Sequence, residues 1–154
     1  MSYIDYVDFE ILNALKKDAR QAYSKIAESL KISNSLVHQR IKKMKNNGLI
    51  IKSDLILDEK ILGYNTKSYV GIRLKQARFA AEVVEELKKI GQIKECNYVS
   101  GKYAIFVLIF TKDNDGLRSV LYDKIHEIPG VAGTDSFICF STNFNRSVPL
   151  IFDK

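Results

Sequence analysis

YSKIAESLKISNSLVHQRIKKMKN, residues 23 to 46, reads as two short amphipathic helices around a turn. Tyr23, Ile26, Ala27 and Leu30 recur at i, i+3, i+4 and i+7, which gathers them on one face, while Lys25, Glu28 and Ser29 look elsewhere. Lys31 and Ile32 are too few for anything but a turn. Ser33 then has the chemistry of an N-cap for a second helix opening at Asn34, because its hydroxyl accepts a hydrogen bond from a free amide of the first turn. In that helix Val37, Ile41 and Met44 point inward, and Ser35, His38, Gln39, Lys42 and Asn46 form the opposite stripe. Two helices at a tight turn, the second with hydrogen-bonding side chains in a row, make the layout of a DNA-reading helix-turn-helix. The major groove admits one helix; Gln grips adenine with two hydrogen bonds, and Ser and Lys meet base edges or phosphates. A solvated face explains many charged stripes, but here the preceding helix and turn favour DNA.

The charge distribution agrees. The 154 residues hold 24 Lys and Arg against 18 Asp and Glu, a net charge of +6. From Arg20 to Lys52 there are eight basic residues against Glu28 alone, a net of +7, and the rest of the chain nearly cancels. A basic footprint confined to one segment suits phosphate neutralisation. A helix lying on a membrane would need its apolar face for lipid, whereas this one needs it for a core. The DNA-contacting set is therefore Lys25, Ser33, Asn34, Ser35, His38, Gln39, Arg40, Lys42 and Lys43, with Lys52 reaching a phosphate from the next segment.

A third helix precedes the pair. Asp5 is suited to cap it, Asp8 sits at the positive end of its dipole, and Val7, Ile11, Ala14 and Leu15 form its inner stripe. Asn47-Gly48 provides a stop after the second helix of the motif. Residues 49 to 57, LIIKSDLIL, read as extended chain, a small wing or linking strand.

The second half alternates strand, helix, strand, strand, helix, strand, the order of a ferredoxin-like α+β plan. SYVGIRLK, 68 to 75, has a strand's alternation, and 77 to 90 place Ala80, Val83, Val84 and Leu87 on one helical face before Gly91. Segments 93 to 100 and 103 to 111 are strand-like around a Ser100-Gly101-Lys102 hairpin signal. Residues 115 to 128 return to helical spacing, Pro129-Gly130 ends that helix, and a last strand runs around 131 to 141. The fold class expected is thus α+β: a winged helix-turn-helix domain at 1–58, a linker at 59–67 containing a short helical turn, and a ferredoxin-like βαββαβ domain at 68–154.

One strand predicts a partner. In AIFVLIF, 104 to 110, both alternating sets are apolar, and FICF, 137 to 140, has the same two-sided character. A sheet with helices on one face only should have a polar open face. A second copy of the chain is expected to cover it, since monomers rarely expose large apolar patches and homo-oligomers are mostly two-fold; the alternative is that the wing or the tail covers it.

These residues resemble the Lrp/AsnC, or feast-famine, transcription regulators. In the first half the resemblance rests on Asp5, Asp8, Ile11-Leu12, Asp18-Ala19-Arg20, Ile26-Ala27, Ser33, Val37, Arg40-Ile41, Gly48-Leu49-Ile50, Leu57-Asp58 and Leu62-Gly63. In the second it rests on Glu95-Cys96, Ser100-Gly101, Ile128-Pro129-Gly130-Val131, Thr134 and Ser136. Ala22 departs from the pattern, which usually has a hydroxyl-bearing cap near there. The family's effector loop commonly reads Gly-Asp-x-Asp; this chain has Gly101-Lys102-Tyr103-Ala104, closer to the AsnC-like version. The resemblance implies a regulator that binds double-stranded DNA, dimerises and often assembles further, up to an octamer, and binds an amino acid or related metabolite between subunits. Lys102 then meets an effector carboxylate, and Tyr103, Thr134, Asp135 and Ser136 supply hydroxyls and a partner for an ammonium, on a loop that includes Gly101 and Ala104. The competing reading of Lys102 is the polar tip of a hairpin.

Catalysis has little to stand on. His38 and His126 lie on different helices in different domains and belong to no spaced ligand motif, so no metal and no cofactor are expected. Cys96 and Cys139 fall on strands that occupy opposite edges of a ferredoxin-like sheet, beyond the reach of one disulfide or one zinc site. Two cysteines without framework spacing suit a reducing cytoplasm. Gly101-Lys102 lacks the other residues of a P-loop, and the acidic N-terminal stretch is no secretory signal. The longest apolar run, 104 to 110, is too short to cross a bilayer. GKYAIFV resembles an RNA-binding RNP1 segment, but the basic residue follows the Gly and Tyr103 and Phe106 alternate to opposite faces. The remaining alternatives are an amino-acid-sensing regulatory subunit and an architectural DNA-binding protein without an effector.

Overall fold

In a computed structural model, residues 4–152 of the chain are described. The first three residues of the expected helical domain and the last two of the expected sheet domain lie outside them. The chain divides into two compact units, one running up to Ile56 and including the tail from Arg146, the other spanning Leu57–Asn145.

The first unit is built from α1 (Tyr6–Lys17), α2 (Tyr23–Leu30) and α3 (Asn34–Asn46). Their apolar stripes meet in a core of Ile11, Ile26, Ala27, Val37, Ile41 and Met44. Each cap behaves as its chemistry demands. Asp5 Oδ1 accepts from the Asp8 amide at 2.9 Å, and Ser33 Oγ accepts from the Leu36 amide at 3.2 Å. Ala22 begins α2 with no side-chain hydrogen bond. The turn between α2 and α3 is made by Lys31 at φ 56°, a left-handed conformation that costs a residue with a Cβ. It lets the Ile32 amide donate back to Ala27 O at 3.0 Å, closing α2. Gly48, at φ 74°, ends α3.

Two expectations need correction in this unit. Residues 49 to 57 form no strand: the backbone takes no place in a ladder, and Ile51, Leu55, Ile56 and Leu57 are exposed. The segment has strand-like residues but no strand to pair with within the described chain. The tail, expected to belong with the sheet, instead joins the helical unit. The Phe152 ring lies 5.8 Å from that of Tyr6 and 5.6 Å from that of Phe9, and Lys16 Nζ donates to Val148 O at 2.7 Å.

The second unit opens with a turn organised by Asp58, whose Oδ1 accepts from the Lys60 and Ile61 amides. There follow β1 (Thr66–Leu74), a 3₁₀ turn (Ala77–Phe79), α4 (Ala80–Lys88), β2 (Ile93–Tyr98), β3 (Ile105–Thr111), α5 (Asn114–Ser119) and β4 (Val131–Ile138). The sheet is antiparallel in the order β2-β3-β1-β4, the ferredoxin-like arrangement. Val70, Ile72, Ile105, Val107 and Ile109 point to the helical side and pack with Val83, Leu87, Leu117 and Ile125. The helix expected over 115–128 is not uniform: α5 widens into a π-helical stretch, Val120–Ile125, and the His126 amide donates to Leu121 O, five residues back, at 2.9 Å.

Among the described residues of this unit, no helix packs on the other sheet face. On it Phe106 stacks between Tyr69 and Phe137, with centroids 6.3 and 6.4 Å apart, and Phe137 is about half exposed at 51%. Both strand faces are therefore apolar, as the sequence reading required.

Candidate functional site

The outward side of α3 carries Asn34, Ser35, His38, Gln39, Lys42 and Lys43, all exposed, with Ser33 at its cap and Lys25 exposed on α2. Val37, Ile41 and Met44 anchor the helix from behind, so the polar row stands on a rigid back. Ser33 and Ser35 share a hydrogen bond at 3.0 Å, and the His38 ring meets the Tyr23 ring edge-on at 4.7 Å. A row of donors and acceptors on an anchored helix, with lysines flanking it, suits base edges and phosphates.

Arg40 does not join that row. Its guanidinium Nη1 donates to Asp5 Oδ2 at 2.5 Å and to Asp8 Oδ1 at 3.0 Å, and Asp8 is buried. This clamp ties α3 to the first turn of α1. The ion pair holds the Asp5 carboxyl below its ordinary value and raises the Arg40 guanidinium. Arg40 is withdrawn from the DNA-contacting set because it flanks the buried stripe of α3, where two carboxylates already neutralise it. Lys52 is exposed and paired with Asp54 in the unpaired segment after α3.

In the sheet unit a second polar cluster forms around Asp135. Its Oδ2 accepts from Lys102 Nζ at 2.9 Å, Tyr103 Oη at 2.8 Å and Arg73 Nη1 at 2.6 Å. These donors, Lys102 foremost, hold its carboxyl down at about 2, and Asp135 in turn raises the Lys102 ammonium. Two glycines make room. A Cβ on Gly71 would lie 2.6 Å from the Tyr103 ring, and one on Gly133 would lie 2.9 Å from Arg73 Nη2. Two cations around one carboxylate leave the cluster net positive, suited to an anionic group.

Of the expected effector residues, Lys102, Tyr103 and Asp135 come together, beside Gly101, which turns at φ 104°. Thr134 and Ser136 do not join them. Thr134 pairs with Ile72 and Ser136 with Val70, so both face the helical side, where Thr134 Oγ1 lies 2.8 Å from His126 Nε2. Adjacent strand residues point to opposite faces, and the expectation grouped three consecutive ones. Ala104 likewise packs against the helix-side core. Arg73 went unrecognised from sequence; the available signal was its place two residues from Gly71 on a strand with alternating faces.

Among the described residues no cluster of His, Cys, Asp and Glu is arranged to hold a metal ion, and no helix is long and apolar enough to cross a membrane. Cys96 on β2 and Cys139 just beyond β4 are free thiols at opposite edges of the sheet.

Known proteins carry both halves of this arrangement. A family described as winged helix-turn-helix DNA-binding matches residues 4–51, and the Lrp/AsnC ligand binding domain matches residues 67–149. The regulatory protein AsnC of Haemophilus influenzae is 34% identical over 148 residues, 96% of this chain and 99% of that protein. The structure of Escherichia coli AsnC is 32% identical and superposes with a TM-score of 0.91, over 95% of this chain and 98% of that one. A transcriptional regulator from Neisseria meningitidis, solved as its complex with L-Met, shares the fold at 19% identity and a TM-score of 0.89, over 96% of this chain and 97% of that one. With a helix-turn-helix in one unit, a ferredoxin-like sheet in the other and relatives matched along nearly their whole length, the chain belongs to the Lrp/AsnC family of helix-turn-helix transcription regulators and is not an enzyme.

Proposed function

We propose that the protein works in the cytoplasm as a homodimer, assembling further up to an octamer, and reads a palindromic DNA site through α3. The observation that carries the reading is the exposed row Ser35, His38, Gln39 and Lys42 on a helix whose other side is buried. Ser33, Asn34, Lys25, Lys43 and Lys52 supply the surrounding backbone contacts, and Arg40 holds α3 in place. The aromatic open face of the sheet supports dimerisation: Tyr69, Phe106 and Phe137 form a surface that water covers poorly. Two copies of α3 then enter successive major grooves roughly 34 Å apart.

The cluster around Asp135 is our effector site. Lys102 and Arg73 meet the carboxylate of an amino acid, and Asp135 takes its ammonium. The L-Met complex of the Neisseria meningitidis regulator supports an amino acid as the class of ligand. Such a ligand acts by binding one assembly state more tightly than another, which changes the spacing of the DNA-reading helices.

Selection from a random duplex library at two salt concentrations tests the DNA half. Enrichment of a palindrome that survives the higher salt is the expected result; binding without enrichment argues for an architectural role. Titration calorimetry with each of the twenty amino acids tests the effector half, and twenty silent titrations would remove amino acids from the reading.

A further inference from the structure

After β4 the chain does not end on the sheet. Residues 146–152 belong to the helical unit and lie on the face of α1 turned away from its core. That face carries Tyr6, Phe9 and Lys16, while Ile11 with Val7, Ala14 and Leu15 serves the core. Phe152 sits against the rings of Tyr6 and Phe9, and the Val148 carbonyl accepts from Lys16 Nζ at 2.7 Å, so the tail is fixed at two points. Pro149 between them restricts the backbone.

We propose that residues 146–152 form a strap that limits the freedom of the DNA-reading unit, a device that rests on the dimeric, palindrome-reading function above. Without it the helical unit would be joined to the sheet unit by residues 49 to 56 alone, which form no strand. The strap adds a second attachment on the turn of α1 where Asp5 and Asp8 hold Arg40 of α3. Its anchor, Phe152, touches Tyr6 and Phe9, the immediate neighbours of those two carboxylates. The covalent route from the strand carrying Asp135 thus ends on the turn that positions the recognition helix. A second attachment reduces the range of orientations each reading unit explores, which favours simultaneous occupation of two half-sites and leaves the contacts of a single half-site as they are.

The test compares the full chain with a protein stopped after Asn145 and with Phe152→Ala. Hydrogen exchange of the α1 amides reads strap docking directly, and binding to a selected palindrome and to a duplex with one half-site reads its consequence. The strap predicts faster exchange in the first turns of α1, half-site affinity within about twofold of the parent, and palindrome affinity lower by about tenfold. Unchanged exchange in both variants overturns the proposal. Equal losses on one and two half-sites also overturn it, because they make the tail a mere stabiliser of the helical unit. If no palindrome is ever enriched, the dimeric reading fails by itself, and exchange still decides whether the tail docks.

Discussion

Gln39 and Arg40 are neighbours on α3 with opposite employment, one exposed and one clamped to Asp5 and Asp8. Gln39→Ala is expected to relax sequence preference and leave the melting temperature within error. Arg40→Ala is expected to destabilise the helical unit by about 2 kcal/mol, because Asp8 is left buried without its partner. Denaturant titration beside library selection separates the two; equal effects would sink the division of labour. Acid should weaken the same clamp. Asp5 is held below its unfolded value near 3.9, so its stabilising contribution is complete above that pH and is lost as pH falls through the depressed folded value. In the sheet unit the Asp135 carboxyl should titrate at about 2 by NMR. Its network is therefore present from about pH 4 upward, and a midpoint at or above the unfolded value would refute it. Gly71→Ala pushes the Tyr103 ring aside, which should raise that midpoint and lower the melting temperature.

At the level of elements, four helices and four strands were legible because their cores are written in two clear periods, 3.6 and 2. Caps were legible for the same local reason: Asp5, Ser33 and Gly48 act within one turn of themselves. The π-helical stretch of residues 120 to 125 was not, since Leu117, Val120, Leu121 and Ile125 satisfy an α-helical pattern as well as a wider one. Thr134, Asp135 and Ser136 were misgrouped because a residue's role on a strand depends on its face, and Asp135 is the one pointing away from the helices. Lys31 marks a place where the sequence pays no heed to local preference. Lys31→Gly should stabilise the helical unit by about 0.5–1 kcal/mol, measured by denaturant titration, by relieving the left-handed strain at the turn. Destabilisation would show that the Lys31 side chain contributes contacts worth more than that strain.

On the scale of the molecule, the two-sided strand 104 to 110 announced an apolar open sheet face, whereas nothing local to residues 146 to 152 announced that they return to α1. Long-range docking of so short a segment leaves no periodic mark. Phe106 stacks at the middle of the open face, so Phe106→Glu should raise the dimer dissociation constant about thirtyfold or more in sedimentation equilibrium; an unchanged constant would place the interface elsewhere. The two thiols of the sheet unit have a use of their own. Cys96 and Cys139 stand at opposite edges of a sheet whose strand spacing is fixed by hydrogen bonds, so three spacings across the strands and an offset of three residues along them separate the two by about 17 Å within one copy. The residues up to Ile56 contain no cysteine. Spin labels on the native thiols thus bring an internal ruler, and any longer distance in a dipolar spectrum measures the separation between copies without a label on any residue of the three helices.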